Sequence, residues 1–180
     1  FDDVRSEVAD SQFAVASFID YPNAPWGGPG DYEFQLDQDF TTDKSTWTSA
    51  IDGLTLGWGN DSPESQYAGL KGAAENATWR PDDVKVIAIT TDAAFHVPSD
   101  TGGTYPGPSE ADTIAALNAE GITVIAIKAP GATSQMDAVA AATGGSVVTT
   151  GASSEEIAEA ILEGLENLPI TVIPNVVGCD

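Results

Sequence analysis

The stretch Val84–Thr90 reads VKVIAIT, a short and almost continuously apolar run. Two further runs have the same character, QFAVASFI at Gln12–Ile19 and ITVIAI at Ile122–Ile127, and a shorter one, SVVTT, lies at Ser146–Thr150. Strands that are apolar on both faces and alternate with helical segments are typical of a parallel sheet covered by helices. The sequence therefore predicts an α/β fold with a doubly wound, mostly parallel sheet and helices on both faces.

Helix signals separate these runs. Ser109 and Ser153 each stand three residues before an acidic side chain, the pattern of an N-terminal capping box. Other helices are predicted at Phe1–Ala9, Thr46–Leu54 and Glu64–Thr78 and from Ser134 onward, and a further strand at Tyr32–Leu36. We expect one domain over residues 1–168. The Pro-containing apolar tail, 169–180, is expected to be extended and to lead into a neighbouring β domain of a longer chain.

Composition excludes several classes of partner. The 180 residues contain 6 Lys and Arg against 28 Asp and Glu, which gives a formal charge of −22. Binding of nucleic acid or anionic lipid needs clustered cations, so neither is expected. No apolar run is long enough for membrane insertion. Two explanations of the acidity stay open, a solvated acidic surface or the binding of cations by a few well-placed carboxylates.

Carboxylates follow the predicted strands at the points where the strands end. Asp20 follows the first apolar run and Asp92 follows VKVIAIT, while Asp61 and Glu64 lie in the loop GWGNDSPE before a helix. In doubly wound sheets, ligands bind at this carboxyl edge. Several carboxylates at one edge repel each other, and a hard divalent cation with oxygen ligands would compensate them. Each residue could instead have a local role, as a helix cap or in a turn.

Four segments together resemble one family. GNDSPES and ITTDAAFH, about thirty residues apart, FIDYPNAP and FDDV occur in the order found in von Willebrand factor A (vWA) domains of the integrin β I-like type. There a D-x-P-E loop and a strand-ending T-D-x-x-x-H segment build the metal-ion-dependent adhesion site, MIDAS. The D-x-S-x-S loop and first central strand of that family have no counterpart in this sequence, which implies an N-terminally truncated version of the fold.

The resemblance implies a set of metal ligands. Glu64 and Asp92 would serve a central Mg²⁺ or Mn²⁺, and flanking Ca²⁺ sites would take the remaining candidates: Asp20, Asp61, the Pro63 carbonyl and Glu64 on one side, and Asp2 and Asp3 on the other. Asn60 lies close to the position of a family asparagine and is a further candidate ligand. His96 matches the family's histidine, and we expect it to be a hydrogen-bonding loop residue without metal chemistry.

The leading hypothesis is a metal-dependent adhesion or protein-binding module of a secreted or cell-surface protein, not an enzyme. An acidic group on the partner protein would complete the coordination of the central ion. Residues 20–43 occupy the position of the family's specificity loop. Trp26 and Tyr32 are therefore candidate contacts with the partner, and an anchoring role for Trp26 within the loop is the alternative.

Three other functions remain open from the sequence. The main alternative is a purely structural or assembly module in which metals are absent or only stabilise the fold. A receiver-like phosphoacceptor domain is a minor one, with Lys128 as the lysine that follows a late strand. A hydrolase would require the single histidine, His96, to reach Ser62, although GNDSPES lacks the G-x-S-x-G pattern.

Overall fold

The computed structural model describes residues 1–57, 59–100, 104–151 and 153–167. Within them lie six helices and seven strands. Their order along the chain is α1 (Asp2–Glu7), β1 (Phe13–Ser17), β2 (Gln35–Thr41), α2 (Lys44–Asp52), β3 (Pro63–Glu64), α3 (Gln66–Asn76), β4 (Lys85–Thr91), β5 (Ala94–Phe95), α4 (Glu110–Glu120), β6 (Ile122–Lys128), α5 (Ser134–Ala142), β7 (Ser146–Thr149) and α6 (Ser154–Glu166). None of the described helices is long and apolar enough to cross a membrane.

The main sheet is parallel, as the apolar runs predict. It has the strand order β4-β6-β7, with Ile87 opposite Val124 and Ile127 opposite Val148. Helices connect consecutive strands, and the right-handed crossover of such units places them on the sheet faces. The predicted α/β class, with parallel strands flanked by helices, is confirmed.

The first two strands form a separate antiparallel ladder. Phe13 pairs with Thr41 and Ser17 with Gln35, while the described part of the chain has no ladder between β1 and β4. The strand expected at Tyr32–Leu36 lies further along, at Gln35–Thr41, so its predicted position is wrong. The Tyr32 hydroxyl is instead hydrogen-bonded to Ser17 at 2.8 Å, which fixes Tyr32 in the connection before β2.

The two faces of the main sheet pack on different helices. On one face, Leu117 of α4 and Met136 and Val139 of α5 pack on Val124 and Ala126 of β6. On the other, Ile125 and Ile127 pack against α6 through Ala160. Since successive strand residues point to opposite faces, a strand that is apolar throughout needs a helix on each side.

Local signals place the helix ends. Ser109 accepts a hydrogen bond from the Asp112 backbone and the Asp112 side chain accepts one in return, and Ser153 and Glu156 repeat the arrangement. Both capping boxes are therefore confirmed. Residues 169–180 lie outside the described residues, so the predicted tail and the boundary before it stay predictions.

Asp39 of β2 forms hydrogen bonds with the segment that follows α3. These bonds attach the antiparallel β1–β2 ladder to the rest of the molecule. Its carboxylate accepts hydrogen bonds from the Thr78 backbone at 3.0 Å, the Thr78 hydroxyl at 2.6 Å and the Phe40 backbone at 2.8 Å. These bonds, those from Thr78 first, lower the pKa of Asp39 below its ordinary value of 3.8.

We expect Asp39→Ala to lower the free energy of unfolding at pH 7 by about 1–2 kcal/mol, because these hydrogen bonds are lost. A carboxyl whose pKa is lowered by folding stabilises the protein above its unfolded pKa and loses that effect as the pH falls through the folded value. The deficit of the variant should therefore shrink below about pH 4 in urea denaturation. Asp52→Ala, on the exposed side of α2, is the control, and an equal deficit in both variants would contradict the assignment.

Candidate metal-binding site

Asp20 is a fully buried carboxylate at the end of the outer ladder. It follows β1 by three residues, and its side chain is 0% exposed. One oxygen, Oδ1, accepts a hydrogen bond from the Tyr21 backbone at 2.7 Å. The other, Oδ2, has no hydrogen-bond partner. Because burial of a charged oxygen is costly without compensation, this atom marks a place where a cation would be favourable.

His96 is the cationic group nearest to Asp20. The parallel pairing of β3 with β5 positions it, and its backbone donates a hydrogen bond to the Glu64 carbonyl at 2.9 Å. Its Nδ1 lies 2.9 Å from Asp100. Its Nε2 lies 3.3 Å from a carboxylate oxygen of both Asp20 and Asp61, within ion-pair distance but without the alignment of a hydrogen bond.

Asp20, Asp61 and His96 form a compact donor group. One ligand atom of each lies within 4.8 Å of the other two, a spacing that a single metal ion could satisfy. Asp20 and His96 are buried, whereas the Asp61 side chain is 36% exposed. Two of the three side chains are therefore buried, and the group is accessible to solvent through Asp61.

Glu64 approaches the same place from β3. Its Oε2 is buried and has no hydrogen-bond partner. A Cβ atom added at Gly59 would lie 3.3 Å from both this oxygen and Asp20 Oδ2. The two unpartnered oxygens thus lie close to the same point beside Gly59, whose φ of +53° is in the left-handed region that favours glycine.

The electrostatics of these groups are those of a crowded acidic centre. Burial, and next the charge of Asp20, raise the pKa of Glu64 to about 7, and burial also raises the pKa of Asp61. Burial lowers the pKa of His96, but the neighbouring carboxylates of Asp20 and Asp100 outweigh it and bring the value to about 8. At neutral pH, His96 is mostly protonated and serves as the cation of the cluster.

The donor set fits a divalent metal ion. Carboxylate oxygens suit Mg²⁺, Ca²⁺ and Mn²⁺, and an imidazole nitrogen together with carboxylates suits Zn²⁺ and Mn²⁺. His96 was expected to be a hydrogen-bonding loop residue, and its hydrogen bond with Asp100 agrees with that expectation, while its position beside Asp20 and Asp61 was not predicted. A signal was present in the sequence, since this single histidine stands four residues after Asp92 at the end of an apolar strand.

Three predicted ligands lie away from this group. Asp92 follows β4 directly but is exposed, and its carboxylate is not part of the Asp20–Asp61–His96 group. Asp2 forms an ion pair with Lys44, and the neighbouring Phe1 stacks on Phe13, the first residue of β1. Because Asp20 follows the opposite end of β1, the structure does not bring Asp2 and Asp3 to this edge.

The remaining predicted residues have structural contacts. Asn60 holds the loop around Trp26. Its backbone N–H donates a hydrogen bond to the Trp26 carbonyl, and its side-chain amide donates one to the Gly27 carbonyl. Pro63 begins β3 next to Glu64, and a ligand role for its carbonyl stays a prediction. Trp26 is only 4% exposed and packs edge-on against His96 with ring centroids 4.8 Å apart. It therefore anchors the loop and has little surface to offer a partner.

Two of the open alternatives lose support from the geometry. His96 Nε2 faces Asp20 and Asp61, and the described contacts include no hydrogen bond between His96 and Ser62, as a hydrolase would need. Lys128 is bonded to both carboxylate oxygens of Asp137, at 3.0 and 2.9 Å. The described contacts of its side chain are with Asp137 and include none with Asp20 or Asp61, the acidic groups that a phosphoacceptor lysine would have to face.

Comparison with known proteins supports the fold. No family model matches the chain, and no curated protein matches it. Among solved structures, it is similar to proximal thread matrix protein 1 from the mussel byssus, whose structure has a zinc-occupied MIDAS motif. The TM-score is 0.56 at 21% sequence identity, over 84% of this chain and 35% of that chain. The chain thus has a vWA-like α/β fold and spans about a third of the length of the mussel protein.

The raised pKa of Glu64 gives a direct test of the crowded site in chelator-treated protein. A carboxyl whose pKa rises on folding, here from 4.5 to about 7, makes stability fall as the pH rises through that interval. We expect Glu64→Gln to remove this decline and to raise the free energy of unfolding above pH 7 by about 1–3 kcal/mol. Denaturation at pH 5 and pH 8 measures it, with the exposed Glu155→Gln as the control. A Glu64→Gln variant less stable than wild type at pH 8 would contradict the assignment.

Proposed function

We propose that this chain is a divalent-metal-dependent adhesion or protein-binding module of a secreted or cell-surface protein. One observation carries the proposal. Two buried carboxylate oxygens without hydrogen-bond partners, Asp20 Oδ2 and Glu64 Oε2, lie beside the Asp61–His96 pair at one edge of a vWA-like fold. Buried polar atoms are almost always satisfied in native proteins, so two orphaned oxygens at one point favour a bound cation.

The residues that would hold the ion are Asp20, Asp61 and His96, with Glu64 as an adjacent carboxylate. Mg²⁺ or Mn²⁺ with flanking Ca²⁺ is the combination that the family resemblance implies. The imidazole nitrogen of His96 adds Zn²⁺ as a candidate, and the zinc-occupied motif of the mussel protein supports its inclusion. When bound, the ion would supply a Lewis-acidic position for an oxygen ligand from outside the chain.

An acidic group is the partner chemistry that this site favours. With a net charge of −22, the chain repels a carboxylate unless a metal ion lies between the two. The residues around the exposed end of the site, Asn60, Asp61 and Ser62, are all exposed and would form the contact surface. Trp26 would act indirectly by holding His96 in place.

The main alternative is a module in which the ion only stabilises the fold. The ion pair between Asp20 and His96 supports it, because a protonated His96 already compensates part of the buried charge. The two functions differ in one property. An adhesion site must leave a coordination position open to the partner, whereas a stabilising site is closed by protein ligands.

Calorimetric titration of chelator-treated chain with Mg²⁺, Ca²⁺, Mn²⁺ and Zn²⁺ tests the metal site. We expect saturable binding of at least one ion, and a loss of affinity of 100-fold or more, by order of magnitude, in the double variant Asp61→Ala, Glu64→Ala. Asp52→Ala is the control for general loss of charge. Asp92→Ala separates the two ligand assignments. If Asp20, Asp61 and His96 bind the ion, this variant should keep the affinity of the wild type. If Asp92 is a ligand, as the family resemblance implies, its affinity should fall. Equal binding by wild type and the double variant would exclude this site.

Proton relaxation of solvent water tests for the open position. Mn²⁺ bound with water in its coordination sphere accelerates water relaxation, and a carboxylate that displaces the water reduces this effect. With the Mn²⁺-loaded chain we expect relaxivity to fall on titration with glutarate and to stay constant with glutaramide, its uncharged analogue. Mn²⁺ binding with no response to glutarate would support the purely stabilising alternative instead.

A further inference from the structure

The imidazole ring of His96 is held firmly, but one of its two nitrogens has no hydrogen-bond partner among the described residues. The residue is only 1% exposed. Trp26 packs edge-on against the ring with centroids 4.8 Å apart, and the Tyr21 ring lies at 6.0 Å. Nδ1 lies 2.9 Å from Asp100 Oδ2, whereas Nε2 is buried and unpartnered. Buried polar atoms are rarely left in this condition, so the environment of Nε2 requires an explanation.

Asp100 determines which ring nitrogen carries the proton in the neutral imidazole. Its Oδ2 accepts a hydrogen bond from the Val97 backbone N–H at 2.8 Å and also lies 2.9 Å from His96 Nδ1. Because an ionised carboxylate can only accept hydrogen bonds, Nδ1 is the nitrogen that donates. The lone pair is then on Nε2, and this is the form of the ring that binds a metal ion. Asp100 thus directs a nitrogen ligand towards Asp20 and Asp61.

The distances around Nε2 agree with those between the ligands of a tetrahedral ion. Nε2 lies 3.3 Å from an oxygen of Asp20 and 3.3 Å from an oxygen of Asp61. Bonds of about 2.0–2.1 Å at tetrahedral angles place two ligands of Zn²⁺ about 3.3–3.4 Å apart. Mg²⁺ and Ca²⁺ prefer oxygen ligands, whereas Zn²⁺ binds imidazole readily. Two carboxylates and one imidazole would leave the fourth position of such an ion open to an external ligand.

We propose that Asp100 is a positioning residue of the metal site, which holds His96 as the nitrogen ligand of a Zn²⁺-type ion. This inference rests on the proposed function, since it names the kind of ion and a residue that acts on the ion through His96. The hydrogen bond from Nδ1 to Asp100 fixes the orientation of the ring and makes Nε2 a stronger ligand. In such carboxylate–histidine–metal arrangements, loss of the carboxylate lowers metal affinity by about 10- to 100-fold.

A purely local role is the alternative for Asp100. Its backbone N–H donates to the Val97 carbonyl at 2.9 Å, and its carboxylate accepts from the Val97 N–H, so the residue also closes a turn. A residue that only closes this turn would affect metal affinity equally whether or not position 96 is a histidine. A positioning residue acts only when the imidazole is present. A double-mutant cycle between positions 96 and 100 therefore separates the two roles.

Nuclear magnetic resonance of the ring nitrogens tests the nitrogen ligand in the unaltered chain. His96 is the single histidine of the sequence, so ¹⁵N-labelled histidine in a chain without a histidine tag gives the signals of one ring. On titration of the chelator-treated chain with Zn²⁺, we expect Nε2 to become the metal-bound nitrogen and Nδ1 to keep its proton. Metal bound at Nδ1, or ring signals that Zn²⁺ leaves unchanged, would overturn the proposal.

Calorimetric titration of variants with Zn²⁺ tests the role of Asp100. Asp100→Asn keeps an oxygen acceptor for the Val97 N–H but removes the charge, and we expect it to weaken Zn²⁺ binding about tenfold or more. In a His96→Gln background the same substitution should have no effect. Asp31→Asn is the matched control, because its carboxylate also accepts a backbone N–H, from Gly28, and its charge also lies near the acidic cluster. Its affinity should change by less than about threefold, and circular dichroism establishes that the variants fold.

The outcomes distinguish this inference from the proposed function. An ion that binds through Asp61 and Glu64 while the His96 ring signals stay unchanged would overturn the nitrogen ligand and leave the metal-dependent module intact. An equal loss of affinity from Asp100→Asn with and without the imidazole would show that Asp100 only closes its turn, which overturns the positioning role. Binding of no ion at all would overturn both the inference and the proposed function.

Discussion

The buried carboxylate of Asp20 is the constraint on which the acidic edge of this molecule depends. A carboxylate removed from water costs several kcal/mol unless a positive charge and hydrogen bonds compensate it. Here the Tyr21 backbone provides one hydrogen bond and His96 provides a charge at 3.3 Å, while the second oxygen is unpartnered. Three separate segments, the end of β1, the loop before α3 and the segment after β5, must therefore meet at one point. Their arrangement is set by electrostatics as much as by apolar packing.

A proton on His96 and a metal ion are alternative ways to satisfy this constraint. A metal ion coordinated by His96 requires the neutral imidazole, whereas the metal-free site is compensated by the imidazolium. The pKa of His96, raised to about 8, means that the metal-free site already carries a cation at neutral pH. Part of the buried charge is then compensated without metal, and the cost of binding an ion through His96 includes the release of that proton.

The sequence predicts the elements of this fold better than the assembly of its site. Apolar runs identify β4 and β6, and capping serines identify α4 and α6. These signals are local, because an apolar strand is buried on both faces and a serine caps the free N–H groups of its own helix. Asp20, Asp61 and Glu64 could be predicted to share an edge, because parallel strands end together. The roles of His96 and Trp26 could not, since ring orientation depends on segments distant in sequence. The position of Asp2 and Asp3 could not be predicted either, because a short acidic motif at a helix start does not show which edge of the sheet that helix start lies at.

The acidic site and the gap between the two sheets are geometrically linked. Asp20 belongs to the β1 side of the gap and His96 to the β4 side, and α3 packs behind both strands. The distance between these two side chains thus varies with the separation of β1 and β4. An ion held by both side chains would therefore hold the β1 side and the β4 side of the molecule together. Metal binding and the packing of the two sheets are then thermodynamically coupled, each favouring the other by an equal factor.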